Sequence, residues 1–208
     1  MIIHKNSTLN LPIQSKYRHG PLLIATISII LFLLEPTSSD WLAYDRQQLN
    51  YFQWWRLISG HFLHTNNIHL LLNLAGLALL WALHGHYNRT FRYLLIFLWL
   101  CIGTSGGLYL FTPQMQWYVG LSGVLHGMFI LGAYFDIHNK LRSGWILLFG
   151  VWLKVLHEQI YGANENVAEL ISANVAIDAH LFGTISGTLI IVYYLLRNIQ
   201  KKRNAKLK

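Results

Sequence analysis

The sequence predicts an all-α membrane protein that folds as a bundle of six transmembrane helices with both termini in the cytoplasm. Hydrophobic residues make up 54% of the 208 residues and charged residues only 12%, whereas a soluble domain averages about 25% charged. So little polar surface cannot coat a soluble globule, and at roughly 20 residues per span the chain holds about six helices. A single cysteine, Cys101, excludes an internal disulfide framework and any multi-cysteine metal site.

Six apolar runs separated by turn residues are the predicted spans, at residues 21–34, 68–82, 91–111, 121–135, 143–161 and 176–196. The first run is short and follows basic residues, as a signal peptide does, but the segment Pro36-Thr37-Ser38-Ser39 contains no clear cleavage site. It is therefore assigned as a span. The predicted organisation is a cytoplasmic tail at 1–20, a six-span core at 21–197 and a basic cytoplasmic tail at 198–208.

The orientation of the spans follows from an asymmetric charge distribution. Seven of the eight acidic residues fall on one side of the predicted bundle and thirteen of the sixteen basic residues on the other. The thirteen are Lys5, Lys16, Arg18, Arg89, Arg92, Lys140, Arg142, Arg197, Lys201, Lys202, Arg203, Lys206 and Lys208. By the positive-inside rule, both termini are cytoplasmic.

The net charge of +8 does not indicate a nucleic-acid partner, because the basic residues do not form a patch between aromatic side chains. The basic C-terminal end is instead expected to contact anionic lipid. Aromatic residues concentrate on the acidic side, where their rings settle at the headgroup level. They are Trp41, Tyr51, Trp54, Trp55, Trp117 and Tyr118.

Polar side chains within three spans are predicted to lie at one depth in the outer half of the bundle. Ser122 opens span four, His180 lies near the start of span six, and span two carries His69 and Asn73 four residues apart on one helix face. Polar groups are costly in hydrocarbon, so each is a functional candidate. Their convergence favours a shared site over unrelated packing residues.

Serine and histidine together point to nucleophilic catalysis, because a serine hydroxyl attacks well only when a base of near-neutral pKa takes its proton. Ser122 and His180 can form such a pair only if spans four and six touch. The amide of Asn73, the imidazole of His69 and the backbone N–H of Ser122 are the kinds of donor that stabilise an oxyanion.

Glycine spacing favours the contact between spans four and six. Gly123 and Gly127 on span four, and Gly183 and Gly187 on span six, each form the G-x-x-x-G pattern that lets helix backbones approach closely.

Structural explanations compete with each functional one. Serine followed by glycine in a membrane helix usually packs, a buried histidine is usually a hydrogen-bonded core residue, and G-x-x-x-G patterns mostly mean packing. Lys154 and Glu158 are four residues apart in span five, which favours an ion pair or snorkelling over catalysis. His61 is expected to be an ordinary interfacial residue.

The chain resembles the rhomboid intramembrane serine proteases from about residue 54 to residue 187. The matching pieces are Trp55-Arg56, Phe62-Leu63-His64, His69-x-x-x-Asn73, Gly120-x-Ser122-Gly123 and Ala179-His180-x-x-Gly183-x-x-x-Gly187. The resemblance implies that Ser122 is the nucleophile, that His180 is the general base and then acid, and that His69 and Asn73 stabilise the oxyanion. It also implies a supporting role for His64 and an active site that opens toward the extracytoplasmic side.

One position departs from the common rhomboid pattern. Many rhomboid proteases have an aromatic residue four positions after the serine, where this chain has His126. The segment Ser122-Gly123-Val124-Leu125-His126-Gly127 is similar to the rhombosortase branch, bacterial rhomboids associated with removing C-terminal Gly-Gly-type membrane anchors from exported proteins. His126 lies one turn from Ser122 on the same helix face and so competes with His180 as the base. His180 is favoured, because side chains stacked along one helix give a base little freedom to reach a leaving group. His126 is expected to support His180 by packing or a hydrogen bond.

The sequence therefore predicts an intramembrane serine endopeptidase that cleaves the membrane anchor of another protein, without a cofactor or an obligatory metal. The resemblance places it in the bacterial cytoplasmic membrane, with the site facing the periplasm. Two alternatives stay open. One is an inactive rhomboid-like protein that escorts membrane segments, and the other is a haem or metal protein that uses His69 and His180 as ligands.

Overall fold

The structure is a computed structural model that describes residues 11–206, and it is mostly helical. Within these residues, six long helices are joined by shorter elements, most of them in the first connection. In chain order the elements are α1 (Ser15–Leu33), α2 (Thr37–Leu42), β1 (Tyr44–Asp45), α3 (Arg46–Asn50), α4 (Arg56–Ser59), α5 (Asn67–His84), α6 (Thr90–Phe111), β2 (Trp117–Tyr118), α7 (Ser122–His138), α8 (Ser143–Tyr161), α9 (Glu165–Ile171) and α10 (Ile177–Lys206). Single 3-10 turns at Gly60–Phe62 and Gly85–Tyr87 flank α5.

In the part of the chain that the structure describes, three helical segments are long and apolar enough to cross a membrane: Asn67–Tyr87, Thr90–Phe111 and Ile177–Ala205. They coincide with the second, third and sixth predicted spans. The other three predicted spans are also helices, namely α1, α7 and α8. Of these, α7 has 17 residues, α1 begins beside Lys16 and Arg18, and α8 carries Lys154 and Glu158.

Three connections meet at one end of the bundle, which we call the loop end. There, β1 pairs antiparallel with β2, with Tyr44 opposite Tyr118, so the loop after α1 is joined to the loop after α6. The Thr65 hydroxyl donates to the carbonyl oxygen of Ile171 at 2.6 Å, which attaches α9 to the start of α5. The starts of α5, α7 and α10 therefore lie at the loop end.

The opposite end holds the beginnings of α1 and α6 and the later turns of α10. The Thr90 hydroxyl donates to the carbonyl oxygen of Lys16 at 3.0 Å, and Arg92 donates to the Tyr194 hydroxyl at 2.9 Å. Consecutive long helices thus run in opposite directions. Lys5 and Lys208, two of the basic residues used in the topology prediction, lie outside the described residues. The helix α10 continues past residue 198 to Lys206.

The closest helix packing joins α7 to α10 through the predicted glycines. A Cβ atom added to Gly127 would lie 2.6 Å from the carbonyl oxygen of Gly183, and one added to Gly187 would lie 2.5 Å from that of Gly127. A Cβ added to Gly123 would lie 2.7 Å from the carbonyl oxygen of Ala179. Any larger residue at these positions would push the two backbones apart.

The connection between α1 and α5 is organised by a buried arginine. Arg56 is 4% exposed, and its guanidinium donates to the carbonyl oxygens of Ala43 and Asp40 and to the side-chain oxygen of Gln53, each at 2.8 Å. These bonds hold three parts of the connection, at Asp40, Ala43 and Gln53, against α4.

Candidate active site

A tight turn at the loop end presents Ser122. Gly120 has a φ of +123°, a backbone conformation open to glycine and rarely to residues with a Cβ. Its N–H donates to the carbonyl oxygen of Gly60 at 3.1 Å, and its carbonyl oxygen accepts the Tyr118 hydroxyl at 2.6 Å. Ser122 is the first residue of α7, so its N–H is among those without an acceptor inside the helix.

The structure brings Ser122 and His180 into contact. The Ser122 Oγ lies 2.9 Å from the His180 Nε2, inside the range for a nucleophile and its base. His180 belongs to the first turn of α10 and is buried. The contact depends on the glycine packing of α7 against α10, since the two residues lie on those two helices.

His126 contacts a different atom of the serine. Its Nδ1 lies 2.7 Å from the Ser122 carbonyl oxygen, so the ring donates to the backbone. The ring also stacks on that of His180, with centroids 4.2 Å apart and planes 20° apart. Its Nε2 lies 2.9 Å from the Lys154 Nζ. In the structure it is therefore His180 that faces the Ser122 hydroxyl.

A carboxylate on α8 completes the contacts of His180. The Glu158 Oε2 lies 2.9 Å from the His180 Nδ1 and 2.9 Å from the Lys154 Nζ. The expected Lys154–Glu158 ion pair is thus present, whereas sequence reasoning missed its contact with His180. The available signal was depth, because Glu158 lies in the last turn of α8, at the same end of the bundle as Ser122 and His180.

His69 and Asn73 lie against the turn that precedes Ser122. A Cβ added to Gly120 would lie 2.8 Å from the His69 Nε2 and 3.8 Å from the Asn73 Nδ2. The Asn73 amide donates to the His69 carbonyl oxygen at 3.2 Å, and the other ring nitrogen of His69 lies 3.1 Å from the Thr65 hydroxyl. Both side chains therefore lie against the turn that carries Ser122, and His69 also lines the cavity at the loop end.

Two further histidines of the first connection are buried. His64 packs edge-on against His69, with ring centroids 5.0 Å apart, and burial lowers its pKa to about 3. The expectation for His61 is wrong: it is fully buried and contacts the Ser105 hydroxyl at 2.8 Å and the Cys101 carbonyl oxygen at 3.1 Å. The chain folds back between the helices here, and burial lowers the pKa of His61 to about 4.

Two cavities meet at Ser122. One, of about 420 Å³, opens at the loop end, and among its lining residues are Ser122, His69 and Trp117. The other, of about 780 Å³, is a mostly apolar groove along α7 and α8, whose lining residues include Ser122, Phe129, Leu147 and Lys154. The groove continues to Asp136 near the other end of α7, about 20 Å away at 1.5 Å per residue.

The arrangement of possible metal ligands differs from the one expected for a haem or metal protein. His126, Glu158 and His180 have ligand atoms within 4.8 Å of one another, but the Lys154 ammonium contacts all three. His69 is not part of this group. The His180 Nε2 faces a serine hydroxyl, which is the arrangement of acyl-transfer chemistry.

A family model for the Rhomboid domain matches residues 51–197, which include every element from α4 to most of α10. The chain therefore belongs to the rhomboid family, whose members are intramembrane serine proteases. Together with the long apolar helices, this makes it an integral membrane protein of the intramembrane-protease type. A comparison with curated proteins gives no match.

Proposed function

We propose that this chain is an active intramembrane serine endopeptidase in which Ser122 is the nucleophile and His180 the general base. The observation that carries the proposal is the 2.9 Å contact between the Ser122 Oγ and the His180 Nε2. An inactive escort protein has no need of a serine and a histidine held at hydrogen-bond distance beside a cavity.

The reaction is acyl transfer followed by hydrolysis. The His180 Nε2 takes the Ser122 proton as the Oγ attacks the scissile carbonyl carbon, and the charged oxygen meets donors from the Asn73 amide and the Ser122 N–H. The C–N bond then breaks and His180 protonates the leaving amine. A water molecule, deprotonated by His180, releases the acyl group and restores Ser122.

The proposed topology has six spans with both termini in the cytoplasm, so the loop end is extracytoplasmic. The alternating helix directions support six crossings, and the basic residues gather at the opposite end, as the positive-inside rule requires. The membrane is proposed to be a bacterial cytoplasmic membrane, with the site facing the periplasm. Cleavage then occurs near the outer surface.

The proposed substrate is the membrane anchor of an exported protein. The apolar groove along α7 and α8 ends at Ser122 and is long enough for part of a transmembrane segment. A regular helix shields its carbonyl groups, so the anchor must unwind near the site, which small residues permit. Membership of the rhombosortase branch, and hence a Gly-Gly-type anchor, is proposed from the segment Ser122–Gly127 with His126.

The test is fluorophosphonate labelling of the full chain in detergent micelles. Wild type is compared with Ser122→Ala, His180→Ala and His126→Ala. The matched controls are Ser143→Ala and His138→Ala, which make the same changes near the opposite end of the bundle. Retained folding of each variant is checked by circular dichroism.

We expect labelling of wild type, both controls and His126→Ala, and none of Ser122→Ala or His180→Ala. Labelling retained in His180→Ala but lost in His126→Ala would make His126 the base. A folded wild type that reacts no faster than Ser122→Ala would refute the proposal in favour of the escort role.

A further inference from the structure

Building on the proposed function, we infer that Glu158 is a positioning residue for His180 and that Lys154 holds Glu158 in place. The structure thus carries a Ser122–His180–Glu158 array, built from α7, α10 and α8, rather than a serine and histidine alone. Three helices must pack together to form it.

The hydrogen-bond partners assign the tautomer of His180. A carboxylate can only accept, so the contact at 2.9 Å requires the His180 Nδ1 to carry a proton that it donates to Glu158. In the neutral ring the Nε2 is then unprotonated and can accept the Ser122 proton. Without Glu158, neutral His180 can carry its proton on Nε2 instead of Nδ1. In that tautomer the Nε2 cannot accept the Ser122 proton, so His180 cannot serve as the base.

Burial strengthens this interaction. The His180 side chain is 6% exposed and that of Glu158 is 12% exposed. When His180 takes the serine proton, the imidazolium forms beside the carboxylate, where a low local dielectric makes their attraction stronger than in water. Glu158 therefore holds the ring orientation at rest and stabilises the charge that develops during the reaction.

Lys154 fixes the carboxylate. It donates to the same Glu158 oxygen at 2.9 Å and to the His126 Nε2, which is free to accept because the His126 Nδ1 donates to the Ser122 carbonyl oxygen. Its approach to the His180 Nδ1 at 3.1 Å is not a hydrogen bond, since both nitrogens carry protons. The ammonium also balances the Glu158 charge while His180 is neutral.

Two measurements test the role of Glu158. The first is the fluorophosphonate labelling rate of wild type, Glu158→Ala, Glu158→Gln and Glu158→Asp. Glu169→Ala is the matched control, because this exposed acidic residue lies on α9 at the same end of the bundle. The second is the ¹⁵N NMR spectrum of the histidine rings, with the His180 signals assigned by their loss in His180→Ala. This measurement distinguishes the tautomers without any catalytic activity.

We expect Glu158→Ala and Glu158→Gln to label about 10- to 100-fold more slowly, a part of what a positioned base contributes. Glu158→Asp should recover some of the rate, and Glu169→Ala should match wild type. The His180 Nδ1 should be protonated in wild type, with Nε2 protonation appearing in Glu158→Ala. The inference fails if Glu158→Ala keeps both the wild-type tautomer and the wild-type rate.

The failure of this inference is distinguishable from failure of the proposed function. If wild type and Ser122→Ala react alike, the enzyme proposal is wrong, and the tautomer spectrum still decides whether Glu158 orients His180. If Ser122→Ala is inert while Glu158→Ala reacts like wild type, the enzyme proposal stands and Glu158 has no positioning role. If Glu158→Ala does not fold, the labelling rate of the isosteric Glu158→Gln decides, because its amide oxygen can still accept from the His180 Nδ1 but carries no charge.

Discussion

Replacing Gly127 with alanine should slow the reaction of Ser122, although the substitution lies outside the Ser122–His180 pair. The added Cβ would lie 2.6 Å from the carbonyl oxygen of Gly183, whereas real Cβ contacts essentially never fall below 3.0 Å and are ordinary from 3.4 Å. The backbones of α7 and α10 must therefore separate by about 0.4–0.8 Å. Carried to the loop end, this lengthens the 2.9 Å contact between Ser122 and His180 to about 3.3–3.7 Å, beyond the range for proton transfer.

We expect labelling of Gly127→Ala to fall by about 10- to 100-fold, because a misplacement of about 1 Å can cost roughly 100-fold. The matched control is Gly106→Ala on α6, where an added Cβ meets nothing within 4 Å. That variant should label normally and gain up to about 1 kcal/mol from helix propensity. Rates are compared per folded molecule, with thermal unfolding measured in the same detergent. Equal labelling of the two alanine variants would refute the view that glycine packing sets the distance between nucleophile and base.

Three further substitutions test the elements around the site. Arg56→Ala should lower the free energy of unfolding by about 3 kcal/mol, because it leaves buried acceptors without a donor. The control Arg197→Ala, at an exposed position, should change the free energy of unfolding little. Thermal unfolding of the two variants and wild type measures the difference. Tyr118→Phe removes the hydroxyl bond to the turn before Ser122, so about 1 kcal/mol of stability and several-fold in labelling rate should be lost. Gly120→Ala combines a strained φ with a clash against His69, and we expect a folded protein with no detectable labelling.

The sequence is most informative where the local pattern carries the structure. The helices α5, α6 and α10 follow from apolar runs of span length, and the approach of α7 to α10 follows from the glycine spacing. Because spans four and six start at the same end of an alternating bundle, Ser122 and His180 are expected at one depth, and the structure brings them together. Their catalytic role stays a prediction.

Two contacts of the structure, those of Glu158 and His61, could not be predicted from the sequence. They depend on how the helices are rotated about their axes and on how the first connection folds back between them. Lys154 and Glu158 share a helix face, but whether that face turns toward His180 or toward lipid depends on the packing of α8 against α7. His61 has the neighbours of an interfacial residue in sequence, yet contacts Ser105 and Cys101 on α6. The Glu158–His180 contact and the burial of His61 both join residues far apart in the chain, and a local sequence pattern does not predict such contacts.

The ion pair between Lys154 and Glu158 can be explained by stability or by catalysis, and the two explanations predict opposite results for one double variant. Charges within a membrane protein are costly, and an apolar pair of similar volume often stabilises a protein as well as a buried ion pair does. The Lys154 side chain is 45% exposed and so adds little to packing, while its ammonium is held by Glu158 and His126.

The double variant Lys154→Met with Glu158→Met should therefore lose only the roughly 1–3 kcal/mol of stability that the unpaired His180 Nδ1–H costs, while its labelling rate per folded molecule falls at least about tenfold. Single variants would each leave one charge without its partner and so lose stability for an unrelated reason. A double variant that loses stability but keeps the wild-type labelling rate per folded molecule would show that the pair serves the fold. The expected result, a small loss of stability with a large loss of labelling rate, would mean that the pair is retained for its effect on His180.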